Sequence, residues 1–154
     1  MGRRRYVKDF LEPDWKYNSK QVSKFINYLM LGGKKTLASN IFYDALKLAE
    51  DKIGKSGIKI FNKAIKNASP YVEIKSKRVG GATYQVPVQV DEERKFAIAA
   101  KWIIQAARSG TGKGMRERLA DVLMETSNNE GPVIRKKEEM HRMAEANKAF
   151  AHFA

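Results

Sequence analysis

The sequence contains no cysteine and only two histidines. Without thiols it can form neither a disulfide framework nor a zinc site that uses sulfur ligands. His141 and His152 are eleven residues apart, and no nucleophile has a neighbouring histidine at a recognised catalytic spacing. We therefore expect no metal, no cofactor and no catalytic residue, and we expect that the protein is not an enzyme.

Long apolar runs are also missing. The longest candidate, Phe96 to Ala107, is interrupted by Lys101 and Gln105, and a membrane-spanning helix needs roughly 20 apolar residues. The basic start of the chain, Arg3 to Arg5, is followed by charged residues instead of the apolar segment of a signal peptide. These absences predict a cytoplasmic protein that has no membrane partner.

Acidic residues are scarce relative to basic ones. The 154 residues include 30 Lys or Arg and 17 Asp or Glu, which gives a formal net charge of +13. Residues 1–35 alone hold nine basic and three acidic residues. Basic charge can serve solubility alone, but an excess of this size and clustering favours a polyanionic partner such as nucleic acid.

The spacing of apolar residues predicts a mainly α fold. Residues 1–18 lack a sustained period, and we interpret them as an extended basic arm that becomes ordered on a partner. Residues 19–154 are predicted to form a single domain of six helices. A β-hairpin at 72–90, where the apolar period changes to 2, protrudes between the third and fourth helices. Ser19 and Asp91 are predicted N-caps, and the C-terminal helix should begin near Pro132.

The register of this hairpin depends on the length of its loop. A two-residue loop at Gly80-Gly81 would pair Ile74 with Pro87, and it would put the apolar residues of the two strands on opposite faces. A three-residue loop that also includes Ala82 would pair Ile74 with Val88 and align them. We therefore expect a loop of odd length or a β-bulge near the tip.

A glycine-rich segment at residues 110–114 resembles a nucleotide-binding loop but fails its pattern. A phosphate loop requires Gly five residues before the Gly-Lys pair and Ser or Thr after it. Ala107 and Gly114 occupy those positions. The segment is therefore predicted to be a flexible basic turn, and no small-molecule substrate is expected.

Four groups of basic residues remain as candidates for nucleic-acid binding. Each could be a solvated face, but together they occupy an arm, two turns beside helices and a β-ribbon. Such projections can reach grooves and junctions of folded RNA. Few aromatic residues lie among them, which favours recognition of phosphate and shape over base stacking. The groups are Arg3, Arg4, Arg5 and Lys8; Lys34 and Lys35; Lys75, Lys77 and Arg78; and Lys113, Arg116 and Arg118.

Three stretches resemble a known family. The first combines Arg3 to Arg5 with Lys16-Tyr17 and with Gly33-Lys34-Lys35. The second is RVGGATYQVPV at 78–88, and the third is HRMAEANKAFAH at 141–152. In order and spacing they are similar to ribosomal protein seven of the bacterial small subunit (the uS7 family), and the likeness covers nearly the whole chain.

The resemblance implies a structural constituent of the small (30S) ribosomal subunit. Such a protein binds the 3′ major domain of 16S rRNA, nucleates assembly of the 30S head, and lies near the E-site tRNA, the mRNA exit path and neighbouring head and platform proteins. It could also repress translation of its own mRNA. The rRNA-binding residues implied are Arg3, Arg4, Arg5, Lys8, Lys34, Lys35, Lys75, Lys77, Arg78, Arg94, Lys95, Lys113, Arg116 and Arg118. Those implied to face tRNA and mRNA are Val79, Gly80, Gly81, Ala82, Thr83, Tyr84, Lys136 and Arg142.

Two other classes of protein are compatible with parts of the sequence. A DNA-binding architectural protein would also carry the charge and the ribbon, and it would differ by preferring duplex DNA to folded RNA at equal salt. An RNA-modifying enzyme should show a cofactor loop or a catalytic cluster, and the sequence shows neither.

Overall fold

The computed structural model describes residues 11–154. This part of the chain is mainly helical and carries one antiparallel hairpin between the third and fourth helices, which confirms the predicted fold class. A short 3-10 helix follows the six α-helices in this range. The elements are α1 (Lys20–Leu29), α2 (Lys35–Ile53), α3 (Gly57–Ala68), β1 (Val72–Val79), β2 (Ala82–Gln89), α4 (Glu92–Ser109), α5 (Met115–Ser127), α6 (Pro132–Ala146) and the C-terminal 3-10 helix (Lys148–Phe153).

The predicted helix starts are confirmed by their caps. The Ser19 hydroxyl accepts a hydrogen bond from the backbone N–H of Val22 at 3.4 Å, and the Asp91 carboxylate accepts one from the N–H of Arg94 at 2.8 Å. These bonds satisfy N–H groups that have no partner within the helix. Pro132 lies in the first turn of α6, where its missing N–H costs nothing.

A cluster of three phenylalanines joins the first three helices. Phe25, Phe42 and Phe61 come from α1, α2 and α3 and are fully buried, with ring centroids 5.2–5.3 Å apart. Burying each such side chain stabilises the fold by about 1.5–3 kcal/mol. The central helix of the domain is α5, which packs on α2, α3 and α4 and buries Leu119 and Leu123.

Gly57 allows α2 and α3 to approach closely. A Cβ atom built on Gly57 would lie 2.8 Å from the backbone oxygen of Leu46, which is a distance that carbon and oxygen do not tolerate without bonding. Gly57 is the first residue of α3 and is buried. A side chain here would force the two helices apart.

The predicted odd-length loop of the hairpin is wrong. Val79 pairs with Ala82 and Ile74 with Pro87, so the loop consists of two residues, Gly80 and Gly81. Both glycines have positive φ, 56° and 84°, and two successive residues of this kind form the turn whose twist matches a β-ribbon. The apolar residues of the two strands do not need a common face, because both faces of the ribbon are partly covered.

The C-terminal 3-10 helix folds back onto the hairpin. Tyr84 of β2 lies with its ring centroid 5.2 Å from that of Phe150 and 4.9 Å from that of Phe153. Lys77 of β1 donates a hydrogen bond to the backbone carbonyl of Phe153. The C-terminal helix begins at Pro132, as predicted, but its regular part ends at Ala146. The residues beyond it contact the ribbon at the Lys77–Tyr84 pair, the third pair from the tip.

Residues 12–18, assigned to the arm from the sequence, make specific contacts with the helices. Asp14 is 8% exposed. Its carboxylate accepts hydrogen bonds from the backbone N–H groups of Lys16, Tyr17 and Ser19 and from the hydroxyl of Tyr43 on α2, at 2.8–3.1 Å. These residues therefore differ from a contact-free extension, because a buried carboxylate that binds four donors fixes the turn.

Candidate nucleic-acid interface

The predicted basic residues of α5 and the turn before it have acidic partners. Lys113 Nζ lies 2.9 Å from Asp121 Oδ2, and Arg116 Nε lies 2.6 Å from Asp44 Oδ2. Lys52 of α2 donates to the other oxygen of Asp121 at 3.2 Å. Burial alone would raise the pKa of Asp121, but the hydrogen bonds from Lys113 and Lys52 lower it overall. The charges of these cations are thus partly neutralised within the protein.

Arg118 is used to close the turn between α4 and α5. Its guanidinium donates hydrogen bonds to the backbone carbonyls of Arg108 and Gly110, at the end of α4. These carbonyls have no partner within the helix, and a cation suits the negative end of the helix dipole. Arg108 in turn donates to the carbonyl of Leu29 at 3.1 Å, which joins α4 to the end of α1.

Arg94 and Lys95 also have partners inside the domain. Arg94 of α4 donates to both carboxylate oxygens of Glu73 on β1, at 3.1 and 3.4 Å, and Glu73 is 6% exposed. Lys95 pairs with Glu92 at 3.1 Å and lies 5.2 Å from the centroid of the Tyr71 ring. The Arg94–Glu73 pair attaches the base of the hairpin to α4, which is a structural role.

The remaining predicted cations of the described residues are more exposed. Lys34 and Lys35 lie at the start of α2, where they are exposed and have no acidic partner within the described range 11–154. Lys75 and Arg78 are exposed on β1 and make no ion pair among residues 11–154. Lys77 shares this strand but donates to Phe153. Arg3, Arg4, Arg5 and Lys8 lie outside the described residues.

The residues expected to face tRNA and mRNA fall in two places. Those from Val79 to Thr83 form the tip of the hairpin, beyond the part that the C-terminal 3-10 helix covers, whereas Tyr84 is in contact with that helix. Lys136 and Arg142 are exposed on α6, where Lys136 donates to the side-chain oxygen of Gln105 at 3.1 Å. Tyr84 thus differs from the residues of the tip, because its ring packs against the C-terminal 3-10 helix.

A row of lysines on α3 was not among the predicted basic groups. Lys59, Lys63 and Lys66 lie at helical spacing on its exposed face, and Lys55 precedes them in the turn. None has an acidic partner within residues 11–154. The signal was visible in the sequence, because no acidic residue occurs between Asp51 and Glu73. The exposed basic residues without an acidic partner in this range therefore include those on α3, at the start of α2 and on the hairpin.

Residues 11–154 contain neither a metal-binding group of side chains nor a membrane-spanning helix. No group of three or more His, Cys, Asp or Glu side chains in this range is arranged to hold a metal ion. None of the helices described there is both long and apolar enough to cross a membrane.

The family is decided by comparison with known proteins. Residues 1–148 match the model of the family described as ribosomal protein S7p/S5e. The chain belongs to this family. It is 54% identical over 143 residues to the small ribosomal subunit protein uS7 of Chloroflexus aggregans, covering 93% of this chain and 91% of that one. It is 50% identical over 154 residues to the uS7 of Arthrospira platensis, covering 99% of each.

Membership of the family confirms two predictions from the sequence. The resemblance to ribosomal protein seven of the bacterial small subunit is correct. The family is one of structural ribosomal proteins, which confirms that the chain is not an enzyme. RNA binding follows from the same membership, and it agrees with the exposed basic residues of α3 and the hairpin.

Proposed function

We propose that the protein is a structural constituent of the small ribosomal subunit in the cytoplasm, where it binds the 3′ major domain of 16S rRNA. The observation that carries this proposal is the match to a uS7 protein over 99% of both chains. The net charge of +13 and the absence of a metal-binding group among residues 11–154 support a role in binding instead of catalysis.

Phosphate is the part of RNA that the exposed lysines and arginines suit best. Cations without a carboxylate partner among residues 11–154 lie at the start of α2 (Lys34 and Lys35), in the row on α3 and on the outer part of the hairpin. Phosphate contacts position a protein on folded RNA, while the shape of the RNA selects the place. The basic residues at 3–8, outside the described range, would add to this surface.

Salt dependence tests this electrostatic account. If roughly 6–10 phosphates are neutralised, the affinity for 16S rRNA should fall about 10³–10⁵-fold between about 50 and 200 mM salt. Duplex DNA at equal salt is the competitor that separates the proposal from an architectural DNA-binding protein. A flat salt plot, or equal affinity for duplex DNA, contradicts the proposed function.

A finer part of the proposal concerns position in the subunit. The family resemblance implies that the protein nucleates assembly of the 30S head, contacts neighbouring head and platform proteins, and lies near E-site tRNA and mRNA. The hairpin supports this because its tip extends beyond the C-terminal 3-10 helix, and eight residues per strand span roughly 25 Å. Repression of its own mRNA would use the same basic surface.

Deletion of Val79 to Thr83 tests the position of the tip. These residues contribute nothing to the helical core, so folding and rRNA binding should be retained. Retention of E-site tRNA or maintenance of the reading frame should be impaired in ribosomes that carry the deletion. Normal behaviour in both assays would make the tip a simple turn.

A further inference from the structure

An exposed tryptophan lies beside a cleft at the start of the domain. Trp15 is 83% exposed, although indole is among the most favourable side chains to bury. The cleft has a volume of about 530 Å³ and is formed by the turn at residues 11–15 together with α1 and α2. The paired basic residues and the hairpin described above do not take part in it.

The turn that carries Trp15 is fixed by the Asp14 hydrogen bonds. Three backbone N–H groups and the Tyr43 hydroxyl bind the Asp14 carboxylate. In addition, the hydroxyl of Ser23 on α1 donates to the backbone carbonyl of Glu12 at 2.7 Å. An exposed aromatic residue on such a turn loses little conformational freedom when a ligand binds it, which favours affinity.

The aromatic surface of Trp15 is free on one side. Its ring centroid lies 5.8 Å from that of Tyr43, at an angle of 63° between the planes. This is a T-shaped contact, which holds the indole without stacking another ring on it. The exposed indole can therefore accept a planar ring by stacking.

Polar groups on the cleft wall fit a nucleotide. Lys35 at the start of α2 lines the cleft and has no acidic partner among the described residues, so its ammonium group is available for a phosphate. Asn27 and Ser39 line the same wall and offer donors and acceptors to a base edge or a ribose hydroxyl. The Asp14 carboxylate is already occupied by its four donors, which leaves Glu12 as the one acidic side chain with free acceptors among the lining residues.

We infer that this cleft receives one unpaired nucleotide of RNA, with its base stacked on Trp15 and its phosphate bound by Lys35. Single-stranded positions in RNA are recognised by stacking on aromatic side chains, and the cleft combines such a ring with a cation and with hydrogen-bonding groups. The inference deepens the proposed function and depends on it, because it assigns a base-stacking site to a protein whose other candidate contacts are with phosphate.

Fluorescence of Trp15 reports whether the ring is covered. The chain contains two tryptophans, so Trp102→Phe leaves Trp15 as the only reporter. When 16S rRNA is added to this variant, the emission of Trp15 should be quenched by stacking, and its collisional quenching by acrylamide should decrease. Unchanged emission and unchanged access of acrylamide in the RNA-bound protein contradict the inference.

Three substitutions separate stacking from a general apolar contact. Loss of one base–aromatic stack should lower rRNA affinity about 5- to 150-fold in Trp15→Ala. Trp15→Phe should retain most of the affinity, and Trp15→Leu should behave like Trp15→Ala. Equal affinities of the Phe and Leu variants would show an apolar contact, such as one with a protein side chain, and would overturn the inference.

A matched control uses another exposed apolar residue. Leu31 is 66% exposed and lies outside the cleft, so Leu31→Ala should leave the affinity unchanged. A wild-type protein that shows no preference for 16S rRNA overturns the proposed function and this inference with it. Wild-type binding together with a neutral Trp15→Ala variant overturns this inference alone.

Discussion

The basic residues of α4 and α5 differ from those of α3 and the hairpin in what they contact. Arg94, Lys113 and Arg116 pair with carboxylates, and Arg118 binds two backbone carbonyls. By contrast, the row on α3 and the outer residues of β1 have no acidic partner among residues 11–154. The two groups contribute equally to the net charge, but a cation whose charge is partly neutralised by a carboxylate attracts phosphate less strongly.

This difference explains why a cluster of basic residues in a sequence is an incomplete guide to a binding surface. The partners of Arg94 and Arg116 are 21 and 72 residues away in the chain, so sequence proximity does not reveal them. The distribution of acidic residues is more informative locally. The segment between Asp51 and Glu73 contains none, and the lysines of α3 within it have no acidic partner among residues 11–154.

The largest effect is expected on the salt dependence of RNA affinity when the unpaired cations are neutralised. A matched set of paired cations is the control. The first variant replaces Lys59, Lys63, Lys75 and Arg78 by Gln. The second replaces Lys52, Lys113, Arg116 and Lys148, the last of which pairs with Glu145 at 2.9 Å. Both change the net charge equally. If the first set binds four phosphates, the slope of log affinity against log salt should decrease by about 3, because each phosphate contributes about 0.7–0.9. The second set should change it much less, and equal slopes would contradict the distinction between the two regions.

The Arg94–Glu73 pair should matter for folding instead of RNA binding. Arg94→Met leaves the buried Glu73 carboxylate without its partner, which should lower the free energy of unfolding by about 1–3 kcal/mol. Arg78→Met on the same hairpin is the control, and it should leave stability nearly unchanged because Arg78 is exposed and unpaired. Urea denaturation measures both, and equal stabilities would refute the structural role.

Asp14 is an acidic residue whose carboxylate is bound within the protein, by three backbone N–H groups and the hydroxyl of Tyr43. Burial by itself would raise its pKa, but the hydrogen bonds from Ser19, Tyr17 and Tyr43 outweigh this and lower it below the ordinary value. A carboxylate whose pKa is lowered by folding stabilises the protein above its unfolded pKa of about 3.9, and this contribution is lost as the pH falls through the folded value. Asp14→Asn should therefore be less stable by about 1–2 kcal/mol at neutral pH.

The pH dependence supplies the check on Asp14. The difference in unfolding free energy between wild type and Asp14→Asn should shrink as the pH falls below about 4. Glu12→Gln is the control, since only the backbone carbonyl of Glu12 is bound, by Ser23. A constant difference between pH 7 and pH 3 would mean that the charge of Asp14 does not contribute.

The smallest effect on stability is expected at His141 of α6. Its Nε2 accepts a hydrogen bond from the backbone N–H of Tyr71 at 3.1 Å, and burial, together with the charge of Lys137, lowers the pKa of the imidazole. The neutral form is thus favoured in the folded state, and stability should decline as the pH falls from about 6.5 through the folded pKa. His141→Gln retains an acceptor and should remove this decline between pH 6.5 and 5, as thermal unfolding would show.

Rules that act on neighbouring residues predicted much of the fold, whereas contacts between residues distant in the sequence could not be predicted. Ser19, Asp91 and Pro132 were assigned correctly because caps and first-turn prolines act within three or four residues. The hairpin register was wrong because the prediction required one covered face, and the structure covers both in part. The hydrogen bond between Tyr43 and Asp14 joins residues that are 29 positions apart. No periodicity in residues 11–18 predicts it.

The candidate nucleic-acid interface stays a prediction that rests on charge and on the family resemblance. Charge excess and the family resemblance indicated an RNA-binding surface, and Lys34, Lys35, Lys75 and Arg78 are exposed as expected. The resemblance could not show that Arg94 and Arg118 are engaged inside the domain, since that depends on side-chain partners. No local pattern in the sequence marks Trp15 as a binding residue, because its fixed turn depends on the tertiary contact of Asp14 with Tyr43.

The phenylalanine cluster has a consequence for the order in which the domain forms during synthesis. Phe25, Phe42 and Phe61 lie within the first three helices, so this contact can form as soon as α3 has been made. The α2 and α3 surfaces that α5 covers remain open until Leu119 and Leu123 have been synthesised. Chains that end before α5 should therefore collapse around the three rings yet expose apolar surface to chaperones, and binding of a hydrophobic dye to such chains would measure it.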